Sequence, residues 1–439
     1  MPSRLLARFL RNTSWMLASR IARLAAAFGV SVLVARHLGR DDFGRLSFAI
    51  SFVMLFSALG SLGLDDILVR ELEPADMDST TEREILGTVA VLRGGGTILM
   101  ALLALGTAFS LGHGRQALLM MTPICLFHLF GNEARTFERR FEARVQAKWS
   151  SIAQLAAILV SSTSSVALVV AHSSLVWFAW VKALESCVLL FGLSICHLYT
   201  GGPFRVRFSG RRAATLLRAG LPLLLTGVFL LVTMRIDQVM IEHFLGPGPV
   251  GCYAVAVRLS EAWYFVPSVI AASLFPAILA ARREDPDIYH SRLQRIYEMM
   301  TWLGIGVAVP TTILSPWVIR LVYGAEYAAA APVLSLYAWA GVFVFQGIAR
   351  SKWIVAENLQ RYALMFTGLA TSVNVLLNWI LIPRVGLPGA AGATVVSCAC
   401  QTILIPALFA PTRPSATAIA RSLVPSVLLA DLRAWRTRR

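Results

Sequence analysis

Charge is scarce in this sequence. Asp, Glu, Lys and Arg supply 15% of the 439 residues and hydrophobic residues 57%, whereas a soluble domain carries roughly 25% and about 45–50%. That excludes disorder, which needs low hydrophobicity and high charge, and it excludes a coiled coil. A disulfide scaffold is excluded as well. The six cysteines (Cys125, Cys187, Cys196, Cys252, Cys398 and Cys400) lie in apolar stretches and none forms a CxxC, so they read as small apolar packing residues. There is no Walker sequence; Gly94-Gly95-Gly96 is followed by no GK[ST], so the chain does not itself hydrolyse ATP. No small-residue cleavage site follows the apolar stretch behind Arg4, Arg8 and Arg11, and the first helix is expected to be retained.

What the chain has instead is long apolar runs. A spanning helix needs roughly 20 apolar residues. Twelve stretches meet that need, near 13–35, 46–66, 86–110, 116–134, 150–171, 174–198, 219–244, 250–279, 299–320, 329–350, 361–382 and 388–410. The first is weakened by Arg20 and Arg23. The eighth exceeds a ~30 Å core at ~1.5 Å per residue, so it must tilt, bend at Pro267 or Pro276, or project. With the N-terminus placed inside, 28 of the 40 Lys and Arg fall in inside segments and 6 in outside ones. This positive-inside bias predicts an all-α polytopic membrane protein of about twelve spans with both termini cytoplasmic. The formal charge of +16 then belongs to cytoplasmic loops, and nucleic acid is not implied.

An internal repeat divides the spans. At an offset of 207, Arg11 to Gly39 aligns with Arg218 to Gly246, and both run helix, LG-x4-G, helix. The glycines suit a tight turn between adjacent helices. Because 207 residues cover six helices, the halves share one orientation. The expected organisation is a six-helix bundle over 1–198, a cytoplasmic connector over 199–218, a second bundle over 219–410 and a basic tail over 411–439. In the tail, Thr417–Ala430 reads as a helix lying on the membrane surface.

The turn and its flanks resemble a known family. Ala35-Arg36-His37-Leu38-Gly39-Arg40-Asp41-Asp42-Phe43-Gly44-Arg45-Leu46-Ser47 is similar to its ARxLGxxxFGxxS segment, and Leu62-Gly63-Leu64-Asp65-Asp66-Ile67-Leu68-Val69-Arg70-Glu71 to its LGLDxxxxRE segment. Asp237-Gln238-Val239-Met240, Val250-Gly251-Cys252-Tyr253-Ala254-Val255-Ala256 and Leu274-Phe275-Pro276-Ala277 continue the likeness. These resemble polysaccharide-export flippases of the Wzx type, in the multidrug/oligosaccharidyl-lipid/polysaccharide exporter superfamily (a MATE-like fold). The resemblance implies two lobes about a central cavity. It implies movement of polyprenyl-diphosphate-linked oligosaccharide from the cytoplasmic to the outer leaflet of a bacterial inner membrane, for surface polysaccharide such as O-antigen or exopolysaccharide. Membrane lipid, a polysaccharide polymerase and chain-length machinery are the partners to expect. No cofactor is implied.

Ionisable residues within spans are expensive and therefore candidates for function. Arg20 and Arg23 share a helix face, and with Arg93, Arg235 and Arg258 they are the candidate cations for an anionic head group, since guanidinium matches phosphate oxygens bidentately. Glu185, Asp237 and Glu261 are the candidate ion-coupling acids. Each has a purely structural alternative: Lys182 with Glu185 and Arg258 with Glu261 are spaced i,i+3 and can pair within one helix. The acidic run Glu71, Glu73, Asp76, Asp78, Glu82, Glu84 reads as solvated surface. The basic run Arg135–Lys148 reads first as a topology signal, with recruitment of cytoplasmic enzymes as an alternative. His37, His113, His172 and His243 have no metal or triad spacing.

Three other functions compete. A cation-coupled multidrug exporter would favour acids and aromatics over the basic excess seen in the spans. A peptidoglycan-precursor flippase usually has two further helices. An enzyme such as a lipid-dependent polymerase or ligase would present a long outside loop, and the outside loops here are short.

Overall fold

The computed structural model describes residues 2–73, 78–203, 207–284 and 286–424; the side chains of residues 2–22, 147, 272, 275–281, 283, 284, 286 and 287 also lie outside the description. Helices dominate. The chain opens with α1 (Pro2–Leu55), α2 (Ala58–Ser61) and α3 (Asp65–Leu72), followed by α4 (Ser79–Ser110), α5 (Arg115–Ala143), α6 (Ala147–Val170) and α7 (Leu175–Tyr199). It continues through α8 (Gly210–Leu245), α9 (Pro247–Glu261), α10 (Phe265–Glu284), α11 (Pro286–Val322), α12 (Ala330–Ala356), α13 (Gln360–Val385) and α14 (Leu387–Ala399). A π-helical turn over Cys400–Leu404 leads into α15 (Ile405–Ala407) and α16 (Arg413–Arg421).

Ten helices among the described residues are long and apolar enough to cross a membrane, or eleven when the bent pair Arg23–Leu55 and Ala58–Leu72 counts as one span. The third to twelfth apolar stretches of the sequence correspond one to one with the ten. The first stretch and the opening of the second fall in α1, which is interrupted at Gly39 (φ 71°, ψ 172°), and the second runs on through α2 to the start of α3. Gly246 repeats that conformation (φ 86°, ψ −176°) between α8 and α9. The two positions that the 207-residue offset aligns therefore make the same left-handed turn, which glycine adopts at least cost. The long eighth stretch is relieved by a 3-10 turn over Ala262–Tyr264 between α9 and α10. It lies just ahead of Pro267, whose ring clashes with the carbonyl four residues back, at Trp263.

The chain forms two compact units, Met1–Leu231 and Val232–Arg439. In the first, α5 packs on α4 and α7, and α6 packs on α1 and α7. In the second, α12 packs on α9, α11 and α14, and every residue of α9 from Val250 to Val257 is buried. The outward side chains are large and apolar, among them Leu102, Phe109, Phe191, Ile313, Trp317 and Leu376. Such exposure is a liability in water; on helices of these lengths it is the surface that meets lipid. The chain is a multi-pass membrane protein.

Three segments depart from the sequence reading. Two helices outrun their apolar stretches, because charged residues at those ends are satisfied by neighbouring helices. Thus α4 begins at Ser79 and carries Glu82, and α5 continues through Arg140 to Ala143. Glu82 is buried rather than solvated. Arg350, counted with the loop charges, is buried inside α12. Thr417 lies within α16, which buries Ser415, Ala416 and Ile419. Tyr297 Oη meets Ser415 Oγ at 2.9 Å and Thr301 Oγ1 meets Ser422 Oγ at 2.6 Å, so this part of the tail is docked on α11. The rest of that predicted helix, from residue 425, lies outside the described residues, as does Asp76 of the acidic run.

Candidate functional site

Polar groups inside the first unit gather where the second span breaks. Leu62 and Gly63 both take positive φ between α2 and α3, and the chain re-enters helix at Asp65. A Cβ on Gly96 would collide with the Leu59 carbonyl, and one on Gly220 with the Leu62 carbonyl. Glycines on α4 and α8 thus admit the break. Its product is the placement of Asp65 against α4 and α5.

Arg93 is the centre of this cluster. It is fully buried and gives Nη2 to Asp65 Oδ1 at 2.7 Å and Nη1 to Thr136 Oγ1 at 3.1 Å and the Asn132 carbonyl at 3.3 Å. Asn132 Nδ2 in turn donates to Thr97 Oγ1 at 2.7 Å. The same Asp65 oxygen lies 3.6 Å from Arg139 Nε, a distance for attraction and not for a hydrogen bond. Arg139 donates to Glu142 at 2.5 Å, and Arg135 donates to Asn132 Oδ1. Arg23, Arg135 and Arg139 all lie within electrostatic range of Glu138. The side chain of Arg20 lies outside the described residues.

One helical turn further on, Glu82 holds Arg140 Nε and Arg144 Nη2, each at 2.7 Å. Arg140 also reaches Thr200 at the end of α7. The backbone beyond α7 is strapped to α4: Arg207 N donates to the Arg83 carbonyl and Ser209 N to Thr88 Oγ1, both at 3.1 Å.

Elsewhere in this unit Glu185 accepts from Lys182 Nζ at 2.9 Å and from Ser161 Oγ at 3.1 Å. The i,i+3 pair forms and is tied to α6.

In the second unit Arg235 and Asp237 point apart, as a spacing of two requires. Arg235 Nη2 meets Glu261 Oε2 at 3.3 Å, so Glu261, at the end of α9, pairs with α8. Asp237 is buried; it accepts from Tyr253 Oη and, at 2.8 Å, from the Gln238 amide. Arg258 lies in electrostatic range of Tyr323, Arg235, Glu261 and Tyr327. Burial raises the Tyr323 hydroxyl, beyond the end of α11, to about 12, with Arg258 opposing the shift. Asn378 donates to Asn374 at 3.1 Å and Asn374 to Ser397 at 3.2 Å, a buried polar chain joining α13 to α14. Arg350 donates to the carbonyls of Thr402 at 2.6 Å and Gln401 at 2.7 Å, meeting oxygens within the π turn.

The structure thus gathers Arg93 with Asp65, Arg135 and Arg139 in one unit, and Arg235 with Glu261 in the other. Sequence reasoning passed over Asp65, Glu82, Arg139, Arg140, Arg350 and Tyr253 as site residues. Signals existed for three of them: Asp65 and Tyr253 stand in the segments that carry the family resemblance, and Asn132, Thr136 and Arg140 recur every four residues, a polar stripe that carries α5 past its apolar stretch. Among the described residues no three or more His, Cys, Asp or Glu gather as a metal site.

A family model described as polysaccharide biosynthesis protein matches residues 9–282. The succinoglycan biosynthesis transport protein ExoT of Rhizobium meliloti (strain 1021) is 25% identical over 95% of this chain and 86% of its own length. The probable low-salt glycan biosynthesis flippase Agl15 of Haloferax volcanii is 27% identical over 38% of this chain and 36% of its own. Among solved structures, the lipid II flippase MurJ in an inward closed conformation superposes with a TM-score of 0.71 at 16% identity, covering 94% of this chain and 91% of that one.

Proposed function

Because the chain belongs to the polysaccharide biosynthesis protein family, we propose that it is a flippase for glycan precursors, carrying polyprenyl-diphosphate-linked oligosaccharide from the cytoplasmic to the outer leaflet of a bacterial inner membrane. The observation that carries this reading is the family match, joined to relatives that are named as a glycan transporter and a glycan flippase. The physical setting agrees. A flippase must shelter a polar head group while the prenyl chain stays in lipid, and spans that carry buried arginines, carboxylates and amides provide for this where a purely apolar bundle does not.

Within this reading the halves rock to alternate access, both termini are cytoplasmic, and no chemical step is catalysed. Arg20, Arg23, Arg235 and Arg258 are the candidate cations along the path. Arg93 and Glu185 have partners that support a helix-tying role. Asp237 and Glu261 are the candidates for coupling to an ion gradient. A polysaccharide polymerase and chain-length machinery would act on the delivered product.

The test is leaflet distribution in proteoliposomes. Polyprenyl-diphosphate oligosaccharide is labelled on its head group with a reagent that reaches only the outer leaflet. Movement that requires the protein and is lost in Arg20→Ala/Arg23→Ala supports the function and that face of α1. Movement kept in the variant retains the function and removes those arginines. No movement, with or without an imposed ion gradient, overturns the flippase.

A further inference from the structure

The basic run of α5 divides by partner. Arg140 and Arg144 are committed to Glu82 and fasten α5 to α4. Arg135 and Arg139 are held less tightly, with Glu138 in electrostatic range of both. They stand four apart, on one helix face, and each has a buried Nε–H with no hydrogen-bond acceptor. A guanidinium offers five donors. Arg135 gives one to Asn132 Oδ1. Arg139 gives one to Glu142, a residue 54% exposed, and sits loosely beside Asp65, whose tight bond goes to Arg93. Both side chains are half-buried, so their outer donors are within reach of a ligand.

Depth places this pair. At ~1.5 Å per residue, the 20 residues from Arg115 to Arg135 rise ~30 Å, the thickness of the hydrocarbon core. The helix begins beyond the short turn after α4, an outside turn in the proposed orientation. Arg135 and Arg139 therefore lie at head-group level on the cytoplasmic side. We propose that Arg135 and Arg139 form the entry site for the diphosphate of the lipid-linked substrate in the leaflet that supplies it, with Glu142 as a built-in competitor that neutralises Arg139 while the site is empty. This inference rests on the flippase reading and on its orientation.

The chemistry requires each part. Two guanidinium forks one helical turn apart match a diphosphate, whose oxygens accept bidentately. A cation left unanswered near hydrocarbon is costly, and an exposed carboxylate lowers that cost without closing the site. An incoming diphosphate carries more charge than the Glu142 carboxylate and displaces it. The release that transport needs is then assisted by the same carboxylate returning.

The experiment uses the full chain in detergent with farnesyl diphosphate as probe. Inorganic pyrophosphate and farnesol form separate arms for the head group alone and the chain alone. Wild type is expected to bind farnesyl diphosphate, to bind pyrophosphate more weakly at the same site, and to show no competition by farnesol. Arg135→Lys/Arg139→Lys keeps both charges and loses the forks. It should weaken farnesyl diphosphate by about tenfold or more, the equivalent of one charge-assisted hydrogen bond. Glu142→Gln should tighten binding several-fold. A double variant that melts like wild type and binds equally well overturns the site, and so does an unchanged affinity in Glu142→Gln. Flipping by a wild type that binds no farnesyl diphosphate removes the site and leaves the flippase. Binding by a wild type that flips nothing removes the flippase and leaves the site.

Discussion

Arg93 and Arg139 meet the same oxygen of Asp65 from different degrees of burial, 0% and 27% exposed. The buried one depends on that carboxylate; the other only leans on it. Removing one partner of a buried pair strands a charge, at about 3–5 kcal/mol, whereas replacing both with apolar groups is often neutral. Asp65→Asn is therefore expected to lower the thermal midpoint in detergent sharply, and Arg93→Met/Asp65→Leu much less. If the effects of Arg93→Met and Asp65→Leu, measured singly, simply added in the double variant, the coupling would be refuted. The depth of Arg93 was legible from hydropathy. Its partner was not, because Asp65 reaches it only through a break in the preceding span. The same limit explains Glu261. The i,i+3 spacing offered Arg258 but gave no hint of Arg235 on α8, which the side chain meets, because packing between helices is encoded by no spacing along one helix.

Elements bend where the chain allows another backbone to come close. Gly95 and Gly96 are neighbours on α4 with opposite surroundings: a Cβ on Gly95 meets nothing within 4 Å, while one on Gly96 overlaps the Leu59 carbonyl. Gly95→Ala should raise or preserve the melting midpoint, since alanine is the better helix former by roughly 0.8–1 kcal/mol. Gly96→Ala should destabilise the chain, since the obstacle is backbone and cannot rotate away. Equal effects of the two changes would mean that the break at Leu62–Gly63 is not held by α4. Turns made by local chemistry were readable in advance: the glycines at 39 and 246, and the bend before Pro267. The break at Leu62 and the π turn beside Arg350 were not, because their causes are Gly96, Gly220 and Arg350, residues remote in sequence.

For the molecule as a whole, orientation decides what each end of each helix can touch. In a background without the six native cysteines, Gly114→Cys lies in the turn between α4 and α5 and Glu73→Cys beyond α3, both at exposed positions. A membrane-impermeant maleimide applied to intact cells should label the first and reach the second only after lysis. The reverse pattern would invert the chain and move Arg135 and Arg139 to the outer leaflet. The ten apolar helices were legible because lipid imposes length and composition directly. The residues of the candidate site were legible only in part, because identity as a buried cation is visible in sequence and partnership is not.

One helix belongs to two bodies. The compact units divide between Leu231 and Val232, inside α8, while the sequence repeat restarts near Arg218. The opening turns of α8 therefore complete the first unit: Leu216 packs with Leu64, Leu68 and Leu86, and Gly220 seats against Leu62 and Gly63. A chimaera spliced at the repeat boundary would give the first half a foreign closing helix, chosen for a different break. Exchanging halves between relatives should keep Gly210 to Leu231 with the sequence before it, so aligning the repeat and following the contacts call for different seams in the same chain.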